Sequence, residues 1–465
     1  MSDKKHFHFT GVCGTAMGAV AVAMKRKGFT VTGSDTNVYP PMSDFLRGEG
    51  IEISEGYRAE NLPADADVIV IGNAISRGNE EAEAALSRRL LYQSLPEVMK
   101  EHFLRGKRNL VVSGTHGKTT TASMLAWLFL SAGRDPGWMI GGLPKNLGRG
   151  ANFTDSEFNI LEGDEYDTAF FDKRSKFLHY LPEVAVVNNI EFDHADIYNN
   201  LDEIKLTFRR LLNVVPRTGC AIVNGDDPNC LDVASAAPCP VKTIGFGDGN
   251  EERITDVTYD ADRSSFTLAG ERYSLRMTGE FNVRNAAMAV TAARFAGLSA
   301  DEVRAGLESF DGVARRQELR GESGGVKVID DFAHHPTAIK LAVGSLRQRY
   351  PGSRLWILFE PRSNTTRRAV FQNELAEALA MADQAVISEI PDLHKFPEND
   401  RLDPDQLAAD IAKHGGHGRY ILTVDEIVRT VVAEAKPGDI VAVLSNGGFG
   451  GIHTKLLEQL GGVLT

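Results

Sequence analysis

The stretch VVSGTHGKTTTASMLAWLF, residues 111–129, sets a turn carrying Gly114, Gly117, Lys118 and Thr119 between an apolar strand and an apolar helix. Strand, Gly-rich turn and helix in that order is the setting in which backbone amides and a lysine cradle phosphates. The usual spacing of two glycines before Lys and Ser/Thr is met only in part, because Val112 stands where the first glycine belongs. A Lys118 ammonium suits β- and γ-phosphate charge, and the Thr119 hydroxyl suits magnesium. The helix is expected over about 118–132, with Met124, Leu125, Leu128 and Phe129 on its apolar face and Gly133 as its C-terminal cap.

Upstream, "HFHFTG", a helix near 16–27, "FTVTGSD" and "ADVIVIGNAI" alternate strand and helix, the rhythm of a parallel sheet with right-handed crossovers. Downstream, "EFNILEGD", "PEVAVVNNIEFDH", "GCAIVNGDD" and "VKTIGFG" continue the central sheet, and polar alternation over 254–276 predicts an antiparallel patch at its edge. A third alternation opens at "GVKVIDDFAHHP" and runs through "SRLWILFEP", "ADQAVISEI" and "DIVAVLSNGG". These readings divide the chain into domains at 1–107, 108–319 and 320–465. The fold class is α/β: two Rossmann-like ends around a P-loop ATPase-like middle with a mostly parallel sheet.

The 465 residues are enough for several cores, and 42% hydrophobic with 25% charged residues is globular composition. A net charge of -12 with no long Lys/Arg block argues against nucleic acid as a partner. The longest apolar run, "ASMLAWLFLSAG", falls short of the ~20 residues a membrane span needs, and "MSDKKHFHFTG" has no signal-peptide core. A cytoplasmic location, as monomer or weak homodimer, is expected. Cys13, Cys220, Cys230 and Cys239 form no C-x-x-C pair, so free thiols are expected rather than disulfides or zinc ligands.

In the first domain Gly11, Gly14 and Gly18 separate the first strand from its helix, and Asp35 ends the second strand. The dinucleotide fingerprint wants glycine at 11, 13 and 16, where Cys13 and Ala16 break it. On these residues a nucleotide diphosphate, an NAD-type ligand and a plain packing turn all stay open.

The carboxyl ends of neighbouring parallel strands converge above one edge. Glu162 of "ILEGDEYD" and Asn188, Asn189, Asp193 and His194 of "VVNNIEFDHADIY" are therefore expected beside the phosphate loop. Magnesium prefers oxygen, so His194 marks a second, more open metal position. "VIDDFAHHPTAIK" sets two acids and two imidazoles between strand and helix, suited to ribose, phosphate or proton transfer. Arg315 and Arg316, and Arg362, Arg367 and Arg368 of "FEPRSNTTRR", offer guanidinium forks for phosphate or carboxylate.

Taken in order, "SGTHGKTTT", "LEGDEYD", "NNIEFDHADIY", "GEFNVRNA", "ARRQE" and "DDFAHHPTAIK" resemble the Mur ligases, ATP-dependent amide ligases of peptidoglycan synthesis, over essentially the whole chain. The resemblance implies a UDP-sugar rather than NAD in the first domain, held near Gly11, Gly14, Thr15, Gly18, Ser34, Asp35, Asn73 and Ala74. It implies ATP at Gly114, Thr115, His116, Gly117, Lys118, Thr119 and Thr120, with Asn189 by the phosphates and Asn282 and Asn285 by the adenine. Arg316 and Asp331 close the nucleotide site, and Mg2+ falls to Thr119, Glu162 and His194. Lys118, His194, Arg316 and His335 are the implied catalytic set, with His335 the expected base for the attacking amine.

Within the family, "FEPRSNTTRR" and "LSNGGFGGIHTKLL" resemble the member that attaches an L-alanyl-γ-D-glutamyl-meso-diaminopimelate tripeptide to UDP-N-acetylmuramate. Peptide contacts are then expected at Arg362, Asn364, Asn446 and Gly447. The alternative member adds L-alanine to the same nucleotide; outside the ligases, a regulatory nucleotide-binding ATPase is the competing reading. Two departures from the family stand out. Arg209 occupies the spacing of a carbamylated lysine, with Lys205 too close to replace it, and a "DNPR" stretch for diaminopimelate is absent.

Overall fold

The computed structural model describes residues 4–260 and 262–462. Apolar runs such as Val68–Ile71 and Leu355–Phe359 are buried at every position, as expected of strands covered on both faces by crossover helices. Three such sheets result.

In the first, β1 (His6–Thr10), β2 (Thr30–Asp35), β3 (Glu52–Glu55), β4 (Val68–Ile71) and β5 (Tyr92–Ser94) stand in the order β3-β2-β1-β4-β5, all parallel. The second contains β6 (Arg108–Ser113), β7 (Gly137–Met139), β8 (Ala151–Asn152) and β9 (Phe158–Glu162). A separate hairpin follows, β10 (Asp167–Ala169) with β11 (Asp172–Ser175). The second sheet then resumes with β12 (Pro182–Val187), β13 (Cys220–Asn224), β14 (Val241–Gly245) and β15 (Glu252–Arg253), in the order β15-β14-β13-β12-β6-β9-β7-β8. Only the β7–β8 pair is antiparallel.

The polar alternation over 254–276 folds as β16 (Thr255–Tyr259), β17 (Ser264–Leu268) and β18 (Glu271–Leu275). These form an antiparallel sheet of their own rather than an edge of the central one. The third large sheet holds β19 (Glu318–Ser323), β20 (Val326–Asp331), β21 (Leu355–Phe359), β22 (Gln384–Ile387), β23 (Gly418–Tyr420) and β24 (Ile440–Leu444), ordered β19-β20-β24-β21-β22-β23. Here β19 is the one antiparallel member. It runs across the expected boundary between 319 and 320, so the third sheet begins at Glu318.

The helix Lys118–Ser131 is buried on nearly every side, not on one apolar stripe. It sits within the core that covers one face of the central sheet, together with the helix Glu280–Phe295. Such all-round burial explains why its apolar residues run without a clean period. On the other face, Val111, Phe177 and Phe208 share one apolar cluster with Phe9, Val20 and Phe103, which fastens the N-terminal sheet to the central one. Gly133 ends the helix with φ +73° and donates its N–H to Leu130 O, the left-handed cap that glycine adopts without Cβ strain. Among the described residues no helix is long and apolar enough to cross a membrane, and all four cysteines are free.

Candidate functional site

β6 runs between β12 and β9, with Val112 opposite Glu162 and Ser113 opposite Val187. Their carboxyl ends deliver the phosphate-type loop, Glu162 and the loop 188–198 to one edge. A cleft of about 1650 Å3 opens there. It is lined by Thr15 and Asn73 from the N-terminal part, by Lys118, Glu162 and His194 from the centre, and by Arg316, Asp331 and His334 from the C-terminal part.

The loop has no room for side chains at its glycines. Gly114 has φ +125° and Gly117 φ +80°; a Cβ on Gly117 would lie 2.5 Å from Asn285 Oδ1, and one on Gly114 would lie 3.0 Å from the Asn188 and Asn189 amides. Gly117→Ala is therefore expected to weaken ATP binding at least ~10-fold by calorimetric titration, since left-handed backbone alone costs a non-glycine residue about 1–2 kcal/mol.

Lys118 Nζ donates to Gly114 O at 2.7 Å and to both carboxylate oxygens of Glu165 at 3.0 Å. Glu165 also meets His194 Nε2 at 2.9 Å and is almost wholly buried. Burial alone pushes the Glu165 carboxyl up, yet Lys118 and His194 outweigh it and hold it below the ordinary range. Burial likewise disfavours the His194 imidazolium, but Glu165 and Asp193 raise it overall. On the other side of the loop, Thr119 Oγ1 donates to Glu162 Oε1 at 2.8 Å, Gly141 N–H donates to Glu162 Oε2 at 2.6 Å, and Arg316 lies 3.4 Å from Thr119 Oγ1. Hydroxyl and carboxylate oxygens at this end suit a hard divalent cation, so the donor set fits magnesium. The Asn285 Nδ2 donor is buried with no hydrogen-bond partner among the described residues, which suits an acceptor on a bound nucleotide. Asp331 holds the Gln317 and Ala333 amides with its two oxygens, and burial pushes its carboxyl up.

Several expected contacts prove to be structural. The Asn189 side chain is engaged with both backbone groups of His116, at 2.7 and 3.2 Å, so it shapes the loop instead of meeting phosphate directly. Ser34 turns inward to a buried Glu81, which also receives Thr10 and Asn61. Asp35 accepts the Cys13 and Asn37 amides at 2.9 and 3.0 Å and so organises the glycine turn rather than standing free for a ribose. Gly18 is a packing glycine, since a Cβ there would lie 2.7 Å from Met42 Sδ. Gly11 has φ +90° and donates to Ser34 O; Gly14 caps the helix Thr15–Arg26. Thr15 and Asn73 face the cleft, whereas Ala74 is exposed outside it.

In the third sheet β20, β24 and β21 end side by side, which gathers Asp331, Ser445 and Glu360. Arg315 reaches Ser445 O and Gly447 O at 2.8 and 2.7 Å. Arg362 is half-exposed, 3.5 Å from Glu360, and packs so closely on Gly447 that a Cβ there would be displaced; the neighbouring Asn446 Oδ1 is buried without a partner among the described residues. Asn364 does not join them. It donates to Asp196 at 2.9 Å, and Thr365 donates to Asp193 at 3.0 Å, so this part of "FEPRSNTTRR" docks on the central domain. Arg368 pairs with Asp400 at 2.7 Å, and Arg367 holds Asn364.

The adjacent imidazoles diverge. His334 lines the cleft, while His335 faces a separate small pocket, accepts the Thr337 amide at the start of the helix Pro336–Arg349, and meets Phe192 O at 3.1 Å. Burial and the nearby His116 push His335 down to about 4. Buried, engaged at both nitrogens and weakly basic, His335 is not placed to deprotonate an amine in the cleft. Arg209 and Lys205 both pair with Asp232, at 2.8 and 3.1 Å, outside the cleft lining. The residue sequence reasoning missed is Glu165. Its signal was the third acid of "LEGDEYD", but side-chain direction beyond a strand end follows no period.

Three large sheets with a phosphate loop at their junction define a nucleotide-binding α/β protein, and the chain belongs to the Mur ligase family, ATP-dependent amide ligases that release ADP. Residues 6–107 match the model described as Mur ligase family, catalytic domain, 112–293 the Mur ligase middle domain, and 315–447 the Mur ligase glutamate ligase domain. The chain is 41% identical over 464 residues to the UDP-N-acetylmuramate–L-alanyl-γ-D-glutamyl-meso-2,6-diaminoheptandioate ligase of Haemophilus influenzae, covering 98% of this chain and 99% of that protein. To a UDP-N-acetylmuramate–L-alanine ligase of Geotalea uraniireducens it is 33% identical, covering 98% of each. A crystal structure of a murein peptide ligase from Psychrobacter arcticus aligns with TM-score 0.71 and 34% identity, covering 99% of this chain and 100% of that one.

Proposed function

We propose that this protein joins the tripeptide L-alanyl-γ-D-glutamyl-meso-diaminopimelate to UDP-N-acetylmuramate at the expense of ATP, in the cytoplasm. The observation that carries the reading is the single cleft where Thr15 and Asn73, Lys118 and Glu162, and Arg316 and His334 meet: a sugar nucleotide, ATP and an amine acceptor have to meet in one place for this chemistry. The higher identity to the tripeptide ligase than to the alanine ligase favours the peptide acceptor.

A carboxylate is a poor acyl donor, so the lactyl carboxylate first takes the γ-phosphoryl group and becomes an acyl phosphate. The amine then attacks, a tetrahedral oxyanion forms, and phosphate leaves as the amide closes. Gly114 and Gly117 shape the amide cradle for the phosphates, and Lys118 neutralises charge on the transferred group. Thr119 and Glu162 would hold one Mg2+, and His194 with Glu165 a second; Glu165 provides there the negative charge that Arg209 and Lys205 do not. Magnesium supplies electrostatic stabilisation of the phosphoryl oxygens. Arg316, held beside Thr119 with its guanidinium over the Phe332 ring at 4.8 Å, closes the nucleotide side. Of the two adjacent imidazoles His334 is the one that faces the cleft; its Nδ1 meets Phe332 O at 3.0 Å and burial lowers its basicity, so its position rather than its strength as a base makes it the proposed acceptor of the amine proton. Arg362, Gly447 and the unpartnered Asn446 Oδ1 stand beyond the cleft lining and are the proposed acceptor end, where guanidinium and amide oxygen suit the carboxylates and ammonium of a peptide tail.

The test is isotopic. UDP-N-acetylmuramate labelled with 18O in its lactyl carboxylate should pass one labelled oxygen to inorganic phosphate as ligation proceeds, read by mass spectrometry. Phosphate without label would rule out the acyl phosphate.

A further inference from the structure

Apart from the magnesium positions, three metal-competent side chains from separate parts of the chain meet at the back of the phosphate loop, one of them, His116, from the loop itself. Their ligand atoms, on His116, Glu191 and His335, all lie within 4.8 Å of one another. Glu191 Oε2 is 3.4 Å from His116 Nε2 and 3.7 Å from His335 Nδ1. Around a tetrahedral ion with bonds of 2.0–2.1 Å, neighbouring ligand atoms are about 3.4 Å apart, so both contacts to Glu191 already stand close to ligating distance.

The surroundings fit ligation. His116 Nε2 is buried and has no hydrogen-bond partner among the described residues. His335 Nε2 faces the Phe192 carbonyl at 3.1 Å, which fixes the tautomer with the proton on Nε2 and the lone pair on Nδ1, the outer-shell arrangement found behind ligating imidazoles. Thr337 Oγ1 donates to Glu191 Oε2 at 2.6 Å and orients the carboxylate. The Thr337 amide contact to His335 Nδ1 is long, 3.3 Å, and is the one bond given up. A small outer pocket of about 220 Å3 reaches Glu191 and His335 past Lys340 and Glu374 and offers an entry path.

We infer that His116, Glu191 and His335 form a site for a divalent transition ion of the zinc class, distinct from the magnesium positions, that ties the phosphate loop to the C-terminal domain. Two imidazoles and one carboxylate select such an ion over magnesium, which prefers oxygen. His116 and Glu191 come from the central domain and His335 from the start of a C-terminal helix, so occupancy links the two bodies that form the cleft. The inference does not depend on which acceptor the enzyme uses.

The experiment titrates the full-length protein with Co2+ in excess Mg2+, following the visible ligand-field bands, and repeats it with Glu191→Gln and with His335→Gln, each shown folded by circular dichroism. A single equivalent of Co2+ with tetrahedral-type bands, displaced by Zn2+ and weakened at least ~10-fold in both variants, supports the site. Absence of those bands, or the same affinity in either variant as in the parent, overturns it.

Discussion

Lys118→Ala is expected to lower turnover about a thousandfold, the scale lost when one preorganised charge is removed from a transition state. The Nζ group lies within the loop, bonded to Gly114 O and to Glu165, so nothing else in the cradle replaces its charge. Its removal also leaves Glu165 buried with His194 as its one remaining ionic partner among the described residues, and breaking a buried pair costs up to about 3–5 kcal/mol. Thermal unfolding must therefore accompany the kinetics. A folded Lys118→Ala enzyme with near-parental turnover would remove Lys118 from the phosphoryl transfer.

Glu165→Gln carries the second large effect. Glutamine keeps the shape of the side chain but not the charge that Lys118 and His194 both face at about 3 Å. Turnover at limiting Mg2+ should fall about a hundredfold and the Mg2+ concentration for half-maximal rate should rise about tenfold, while an uncompensated Lys118 costs about 1–3 kcal/mol of stability. Two effects oppose each other here. Losing Glu165 frees His194 to be neutral, which favours metal, but it also removes a full negative charge beside the ion, and in a site this dry the charge dominates. A variant with lower stability but unchanged Mg2+ dependence would make Glu165 a support for Lys118 alone.

Much of this architecture was legible in the sequence. Apolar runs bounded by glycine mark the parallel strands, and the convergence of neighbouring strand ends brings Lys118, Glu162 and His194 to one cleft. What was not legible follows from side-chain direction and from polar strands. β19 reads ELRGES, with no apolar face to signal a strand, and it took the domain boundary with it. His334 and His335 are adjacent in sequence, yet one lines the cleft and the other caps a helix behind it, because the backbone at His335 is extended and successive side chains there point to opposite sides. Ser34 and Asn364 sit in suggestive motifs, but Glu81 and Asp196, distant in sequence, take their hydrogen bonds. Glu165 lies in an irregular segment where periodicity says nothing of orientation.

The same convergence explains why three domains act as one enzyme. The loop 188–198 carries His194 into the cleft while Asp193 and Asp196 on it receive Thr365 and Asn364 of the C-terminal domain. The proposed metal position at His194 and the docking of the C-terminal domain therefore share one segment.

The most direct measurement is ADP release by the purified enzyme with ATP, Mg2+ and UDP-N-acetylmuramate, comparing L-alanine with the L-alanyl-γ-D-glutamyl-meso-diaminopimelate tripeptide as acceptor. The account predicts release that depends on the tripeptide, with L-alanine a poor substitute. Release driven as well or better by L-alanine would contradict it and return Arg362 and the 445–450 loop to a structural role.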